Sequence, residues 1–261
     1  MTLIRHELRQ GRRSLMVWTG AIGAFLVICL FLFPEMKSQA NQMTEMMASM
    51  GSFTKLWGMD RLDFGTLTGY YGIECGNMLG IGGALFAALI GINALAKEEK
   101  DGTAEMLLTH PLSRAEVVTG KLLAVLIQIV ALNIAVFLLS IGTMACIGET
   151  IPWKVVALMR TAYFLMQIEI ACICLGISAF LWKGSLGIGL GLAIVLYFMN
   201  ILGNLSDTVE FLKYITPFGY TDGADIVTKG CLDGSRILPG MAIAACGVVL
   251  AYGKYSRKDI R

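Results

Sequence analysis

Six apolar stretches alternate with polar intervals along the 261-residue chain. Five are long enough to cross the roughly 30 Å hydrocarbon core of a bilayer as α-helices, and the sixth is shorter and less certain in its bounds. The pattern predicts an all-α integral membrane protein with a six-span transmembrane domain over residues 15–253 and a polar tail over 254–261. The predicted spans lie near residues 15–33, 75–96, 122–147, 161–182, 184–205 and 237–253.

The polar positions before the first span have helical periodicity. Ile4, Leu8 and Leu15 share one side of a helical wheel, whereas four arginines (Arg5, Arg9, Arg12 and Arg13) share the other. This pattern predicts an amphipathic helix over residues 1–14 that rests on anionic lipid at the membrane interface. Residues 31–35 offer no small-residue cleavage site, so we expect the segment to be retained rather than removed as a signal peptide.

The overall composition supports the membrane assignment. Hydrophobic residues make up 56% of the chain, charged residues make up 15%, and the mean hydropathy is +0.69. A soluble domain of this size needs more polar surface. The net charge of +2 is too small to indicate a nucleic-acid partner.

The positions of lysine and arginine predict the orientation, because basic residues concentrate in cytoplasmic segments. A cytoplasmic N-terminus places most of the basic residues in the inside segments, and an even number of spans then returns the C-terminus to the same side. The inside set would be Arg5, Arg9, Arg12, Arg13, Lys97, Lys100, Arg114, Lys121, Lys183, Lys254, Arg257, Lys258 and Arg261.

The interval from Lys97 to Lys121 is a long polar segment between two predicted spans and therefore indicates a water-exposed elbow. Ala104, Leu107 and Leu108 fall on one face of a short helix that follows the turn at residues 101–103. Pro111 ends this helix, because proline has no N–H to continue the ladder. Residues 113–116 read Ser-Arg-Ala-Glu, a capping box that starts the next helix.

This elbow resembles the first cytoplasmic loop of permease subunits of type-2 ATP-binding-cassette exporters. The resemblance rests on Glu98, Gly102, Thr103, Glu105, Leu107, Leu108, Pro111, Ser113, Arg114, Gly120 and Lys121. It implies a coupling helix that docks into a groove of a separate ATPase. The chain has Lys100 where such permeases often carry an acid, so either Glu98 or Glu99 would meet the ATPase. A solvated loop with well-formed turns is the alternative.

The resemblance also implies the function. The chain would be a non-catalytic permease subunit of a bacterial-type cytoplasmic membrane and would export a peptide, drug-like or lipid-like molecule by alternating access. It would pair with a second permease subunit, identical or different, and with ATPase subunits that bind ATP and Mg, and it would contact lipid. We expect no cofactor on this chain itself.

Enzymatic motifs do not offer a competing interpretation. The nearest sequence to a phosphate-binding loop, residues 247–255, has the wrong spacing and ends with Tyr255 instead of Ser or Thr. No GxSxG motif occurs, and neither His6 nor His110 lies in a predicted span. The two histidines are far apart in sequence and the seven cysteines form no framework, so no metal site is predicted.

Glu169 is the only charged residue within the predicted spans, and a carboxylate in hydrocarbon is costly. It is therefore expected to face the bundle or a wet cavity, with Gln128, Asn133 and Gln167 as candidate partners. Three roles are open: a strut between two helices, a residue of the translocation path or dimer seam together with Gln128 and Asn133, or the coupling residue of an ion-driven secondary carrier.

Three further patterns have less specific interpretations. Small residues recur at four-residue spacing at Gly72, Gly76, Gly80 and Ala84 and again at Gly187 and Gly191, which predicts close helix packing within the chain or at a dimer interface.

A methionine stripe forms if residues 43–50 are helical, at Met43, Met46, Met47 and Met50. Packing, an adaptable cargo surface and soft-metal handling are its alternative roles. Residues 204–236 are rich in turns and predict short helical pieces, similar to the outer re-entrant region of the same exporters.

Overall fold

A computed structural model describes residues 2–42, 46, 54, 61–100, 113–181, 186–205 and 207–257, and this part of the chain is helical without strands. Two short segments are not α-helical: a π-helical segment, Met78–Gly82, and a 3-10 turn, Asp207–Val209. The α-helices are α1 (Thr2–Ser38), α2 (Leu67–Asn77), α3 (Gly83–Lys100), α4 (Arg114–Cys146), α5 (Trp153–Ser178), α6 (Leu186–Leu205), α7 (Leu212–Ile215), α8 (Gly223–Lys229) and α9 (Gly234–Arg257).

Six helical segments in the described ranges are long and apolar enough to cross a membrane. They are α1, the α2–α3 pair, α4, α5, α6 and α9, which confirms the predicted all-α, six-span, multi-pass fold. The helices extend beyond most of the predicted spans. The fourth starts at Trp153 instead of residue 161, and the sixth at Gly234 instead of residue 237, so Pro239 lies inside its helix.

The N-terminal helix is not a separate element. α1 runs without a break from Thr2 through Pro34 to Ser38, so neither the predicted boundary after residue 14 nor the predicted end at residue 33 is present. The amphipathic pattern is real, because the four arginines are exposed while Ile4 and Leu8 are partly covered. Leu3 packs against Gly120 of α4. Its position at a membrane interface remains a prediction.

α5 lies at the centre of the bundle, between α3 and α9. Glycines permit the close approach on both sides: a Cβ on Gly91 of α3 would lie 2.9 Å from the Cβ of Cys174, and one on Gly247 of α9 would lie 2.7 Å from the carbonyl oxygen of Cys172. Such spacing brings helix backbones into contact, as small residues do at membrane helix interfaces.

The glycine repeats have different outcomes in α2 and α6. Gly76 and Gly80 face Tyr163 of α5, so the predicted intrachain packing is confirmed there. In α6, nothing lies within 4 Å of a Cβ placed on Gly191, and the close contact is made instead by Gly189 against Ile92 and the Ala88 carbonyl of α3. The predicted role of Gly191 in close packing within the chain is therefore wrong.

The start of α1 and the end of α9 lie at the same end of the bundle, called the elbow end below. Glu7 of α1 bonds to Lys121 of α4 at 3.0 Å, and Arg114 of α4 donates to the Tyr255 carbonyl of α9 at 3.2 Å. This agrees with an even number of spans. The side of the membrane to which this end belongs remains a prediction from charge.

The opposite end contains the turn-rich segment between α6 and α9. Asp222 caps α8 by accepting from the Ala224 N–H, and Gly230 ends α8 in the left-handed conformation at φ 61°. α7 and α8 confirm the predicted short helical pieces. Arg236 of α9 bonds to Asp225 and Glu210, both at 3.2 Å, so ion pairs fasten this segment to the last span.

Candidate coupling and transport residues

The exit from the elbow is built by local sequence. Ser113 is the N-cap of α4: its hydroxyl accepts from the Glu116 N–H at 3.2 Å, while the Glu116 carboxylate accepts from the Ser113 N–H at 2.7 Å. The predicted capping box is therefore confirmed. It satisfies two backbone donors that the first turn of a helix otherwise leaves unpaired.

Arg114 ties this exit to the end of the chain. Its guanidinium donates to the backbone carbonyls of Tyr255 at 3.2 Å and Ser256 at 3.4 Å, both in the last turn of α9. Carbonyls at a helix C-terminus carry partial negative charge and lack intrahelical donors, so a cation is well placed there. Any force applied to the elbow at Arg114 therefore reaches α9 as well as α4.

The remaining predicted ATPase-contact residues give less structural information. Glu98 and Glu99 lie in the last turn of α3, and their side chains are outside the described part of the structure. Gly102, Thr103, Glu105, Leu107, Leu108 and Pro111 lie outside the described residues altogether.

Glu169 is fully buried, at 0% exposure, on the face of α5 that meets α9. A Cβ on Gly240 of α9 would lie 2.8 Å from the carboxyl carbon, so the acid fills the space that glycine leaves. Neither carboxyl oxygen meets strict hydrogen-bond geometry with a described residue, but the Tyr220 hydroxyl lies near enough to interact with the acid. The nearby Tyr220, in the segment before α8, has its pKa raised first by burial and then by the charge of Glu169.

The predicted partners of Glu169 are engaged elsewhere. Asn133 donates to the Gln167 side chain at 2.6 Å and to the Ile129 carbonyl at 2.9 Å, which joins α4 to α5. Gln128 donates to the Ala124 carbonyl of its own helix at 3.2 Å and packs against Gly11. The structure therefore does not unite Glu169, Gln128 and Asn133 in one cluster.

Arg160 is a buried charge that the sequence analysis did not single out. It is 8% exposed and its guanidinium donates to the Tyr71 hydroxyl of α2 at 3.0 Å and to the Ser140 hydroxyl of α4. It also lies over the Tyr71 ring, 6.0 Å from the centroid. A lone arginine next to an apolar run was the available signal, but the predicted span began at residue 161 and excluded it.

Metal chemistry has no geometric support in the described residues. No group of three or more His, Cys, Asp or Glu side chains there could hold an ion. The cysteines whose side chains are described are free thiols, with Cys29, Cys172 and Cys174 buried. Of the methionine stripe, only Met46 is described, and it is 48% exposed.

Comparison with known proteins gives one informative result. A family model described as "ABC-2 family transporter protein" matches residues 1–259, which is almost the whole chain. No curated protein matches the chain.

Proposed function

Because this chain belongs to the ABC-2 family of transporter proteins, we propose that it is a permease subunit that exports its substrate with energy from a separate ATPase. The family match over residues 1–259 carries the proposal. The capped start of α4 supports it, because a capping box fixes the direction in which the elbow leaves the bundle. The chain itself is the non-catalytic part, and ATP and Mg bind to the partner.

The proposed assembly contains two permease chains and two ATPase chains. Closure of the ATPase pair on ATP pushes the elbows, and the bundles change between arrangements open to either side of the membrane. Arg114 joins the elbow exit to the last turn of α9, and α9 packs on α5 beside Glu169. This contact chain supplies a route by which movement of the elbow changes the buried surface of α5. The cargo is proposed to be a peptide, drug-like or lipid-like molecule.

Within this mechanism we assign ATPase contact to Glu98 or Glu99 and to the predicted apolar face at Leu107 and Leu108. An apolar helix face in water needs a partner, because exposed apolar area has a free-energy cost. Glu169 is assigned to the transport cycle instead of a purely structural role. Its carboxylate is fully buried against Gly240, which offers no side-chain donor, and a buried acid within a span is a candidate for function by default.

The coupling assignment is tested by changing Leu107 and Leu108 together to Asp. The double variant should insert and fold but lose the ATPase on co-purification, because two carboxylates cannot be buried in an apolar groove. Met106→Asp is the matched control: at 100° per residue it lies on the opposite face of the predicted helix, so the ATPase should remain bound. Retention of the ATPase by the double variant at wild-type stoichiometry would refute the assignment.

A second experiment separates this proposal from an ion-driven carrier. The chain alone in liposomes should not transport under a proton or sodium gradient, whereas the complex with its ATPase should transport on addition of ATP. Gradient-driven transport by the chain alone would contradict the ATPase-driven mechanism.

A further inference from the structure

A cavity of about 310 Å³ opens at the elbow end, between α1, α3 and α4 and the start of α6. It lies at the membrane boundary, because Lys97 directly follows the second apolar stretch of the sequence and Lys121 directly precedes the third. The wall contains neither the elbow contacts nor the buried residues of α5, but it does contain Gln128, a predicted residue of the substrate path.

The charge of the cavity wall is unbalanced. Lys121 is 1% exposed and forms an ion pair with Glu7 at 3.0 Å. Lys97 donates to the Gln10 side-chain amide, which is neutral, and no described carboxylate lies within ion-pair distance of it. Among its described residues the wall therefore contains two ammonium groups and one carboxylate, and an anion with a single negative charge would neutralise this set.

Deeper in the cavity the wall is mostly apolar. Leu89, Ile90 and Ala94 of α3, Val125 of α4 and Leu186 line it, and Ser14 and Asn93 add two polar side chains. Gln128 lies seven residues further along α4 than Lys121, about 10 Å deeper at 1.5 Å per residue. Its buried side-chain oxygen has no hydrogen-bond partner in the described part of the chain. A cation at the mouth above a largely apolar wall is the arrangement that an amphiphilic anion requires.

We propose that this cavity binds one anionic phospholipid, of the phosphatidylglycerol class, within the permease subunit. Its phosphate lies between Lys97 and Lys121, its ester region lies beside Gln128, and an acyl chain lies along Leu89 and Val125. A lipid fits better than a water-soluble phosphate, because the apolar wall extends inward from the charged mouth. A soluble anion would leave that apolar surface in contact with water, whereas an acyl chain would cover it. Net positive charge selects the anionic lipid over a zwitterionic one.

The test uses the full chain in detergent, with bound lipid counted by native mass spectrometry during titration with phosphatidylglycerol or phosphatidylcholine. The wild-type protein should retain one phosphatidylglycerol and discriminate against phosphatidylcholine. Lys97→Gln should weaken retention about tenfold, the effect of losing one charge-assisted contact. Lys254→Gln is the matched control, because Lys254 lies near the elbow end in α9 and over Phe180, outside the cavity.

A second variant distinguishes loss of lipid binding from loss of the folded protein. Ala94→Phe fills the deeper wall without changing charge and should also reduce retention, in a protein that elutes as a single species. Equal retention of both lipids, or full retention by Lys97→Gln, would overturn the proposal. Competition by inorganic phosphate or glycerol phosphate as strong as that of the lipid would assign the site to a soluble anion instead. The measurement needs no ATPase and no transport substrate, so it is independent of the coupling experiment.

Discussion

α5 and α6 are consecutive spans with opposite environments. Within the apolar stretch of each helix, 67% of the α5 residues are buried inside the protein, compared with 17% of the α6 residues. Yet α5 carries Arg160, Gln167 and Glu169, whereas α6 contains no charged residue. In a soluble protein the more apolar helix would occupy the core. Lipid reverses this order, because apolar side chains have no preference for protein over lipid while polar ones need protein partners.

The two helices also use glycine differently. Gly176 of α5 lies against the backbone of α9, and a Cβ there would be 2.7 Å from the Gly247 carbonyl oxygen. Gly191 of α6 has open space around it. The residue type is the same, but only the first position contributes to the packing of the bundle. A small residue in a span therefore indicates close packing only when a neighbouring backbone occupies the space.

The largest effect expected from this contrast comes from one substitution made in both helices. Gly176→Leu should prevent α5 from meeting α9 and remove the monodisperse gel-filtration peak, because backbone atoms cannot move aside as side chains do. Gly191→Leu should leave the peak and the thermal midpoint unchanged or slightly raised, since leucine favours helix over glycine by roughly 0.5–1 kcal/mol. Equal loss of folded protein in both variants would contradict the packing described above.

A smaller effect is expected from neutralising the buried acid of α5. Glu169→Gln should fold and be at least as thermostable as the wild type, because a neutral amide costs less to bury than a carboxylate. Substrate-stimulated ATP hydrolysis by the complex should fall to the basal rate if the charge acts in the transport cycle. Glu149→Gln, which removes an exposed acid paired with Lys37, is the control and should retain stimulation. Normal stimulation in Glu169→Gln would assign the residue to packing alone.

The smallest effect concerns the charged segment that follows α6. Burial alone would raise the pKa of Asp225, but the hydrogen bond and charge of Arg61, with the charges of Lys229 and Arg236, hold it below its ordinary value. A lowered folded-state pKa means that the folded protein binds fewer protons than the unfolded chain. The stabilisation is therefore fully present above the unfolded-state pKa of about 3.9 and is lost as pH falls from there through the lower folded-state pKa.

The measurement is the thermal midpoint of the detergent-solubilised protein between pH 7 and pH 3. The wild type should lose stability below about pH 5, where the unfolded chain begins to take up the proton that the folded Asp225 does not bind. Asp225→Asn should be less stable at pH 7 by about 1–2 kcal/mol and less sensitive to acid. Lys229→Gln, which removes only an exposed partner at 3.5 Å, should behave almost as the wild type. An unchanged acid response in Asp225→Asn would exclude the ion-paired segment as its source.

Features that depend on residues close together in the sequence could be predicted from it. The six apolar stretches predicted the fold because lipid demands continuous helices of a fixed minimum length. The capping box at Ser113 was predictable because its two hydrogen bonds join residues three apart. The short helices after α6 were indicated by turn residues such as Asp222.

Features that depend on contacts between distant segments could not be predicted from the sequence. Glu169 was recognised by its charge, but its neighbour Gly240 lies 71 residues away and has no polar atom in its side chain to indicate the pairing. Arg160 was missed because the span was ended at the charge, although Tyr71 and Ser140 make that position acceptable inside the bundle. The first span was predicted to end near residue 33, but its helix continues through Pro34 to Ser38.

The contact between Glu169 and Gly240 has a consequence for biosynthesis. A ribosome completes α5 before α9 exists, so a chain with five inserted spans has no helix to cover the Glu169 face. A carboxylate on lipid costs about 2.5–3.5 kcal/mol even on translocon-insertion scales. In the nascent chain this face of α5 therefore stays uncovered until the last helix arrives, and its insertion buries the acid.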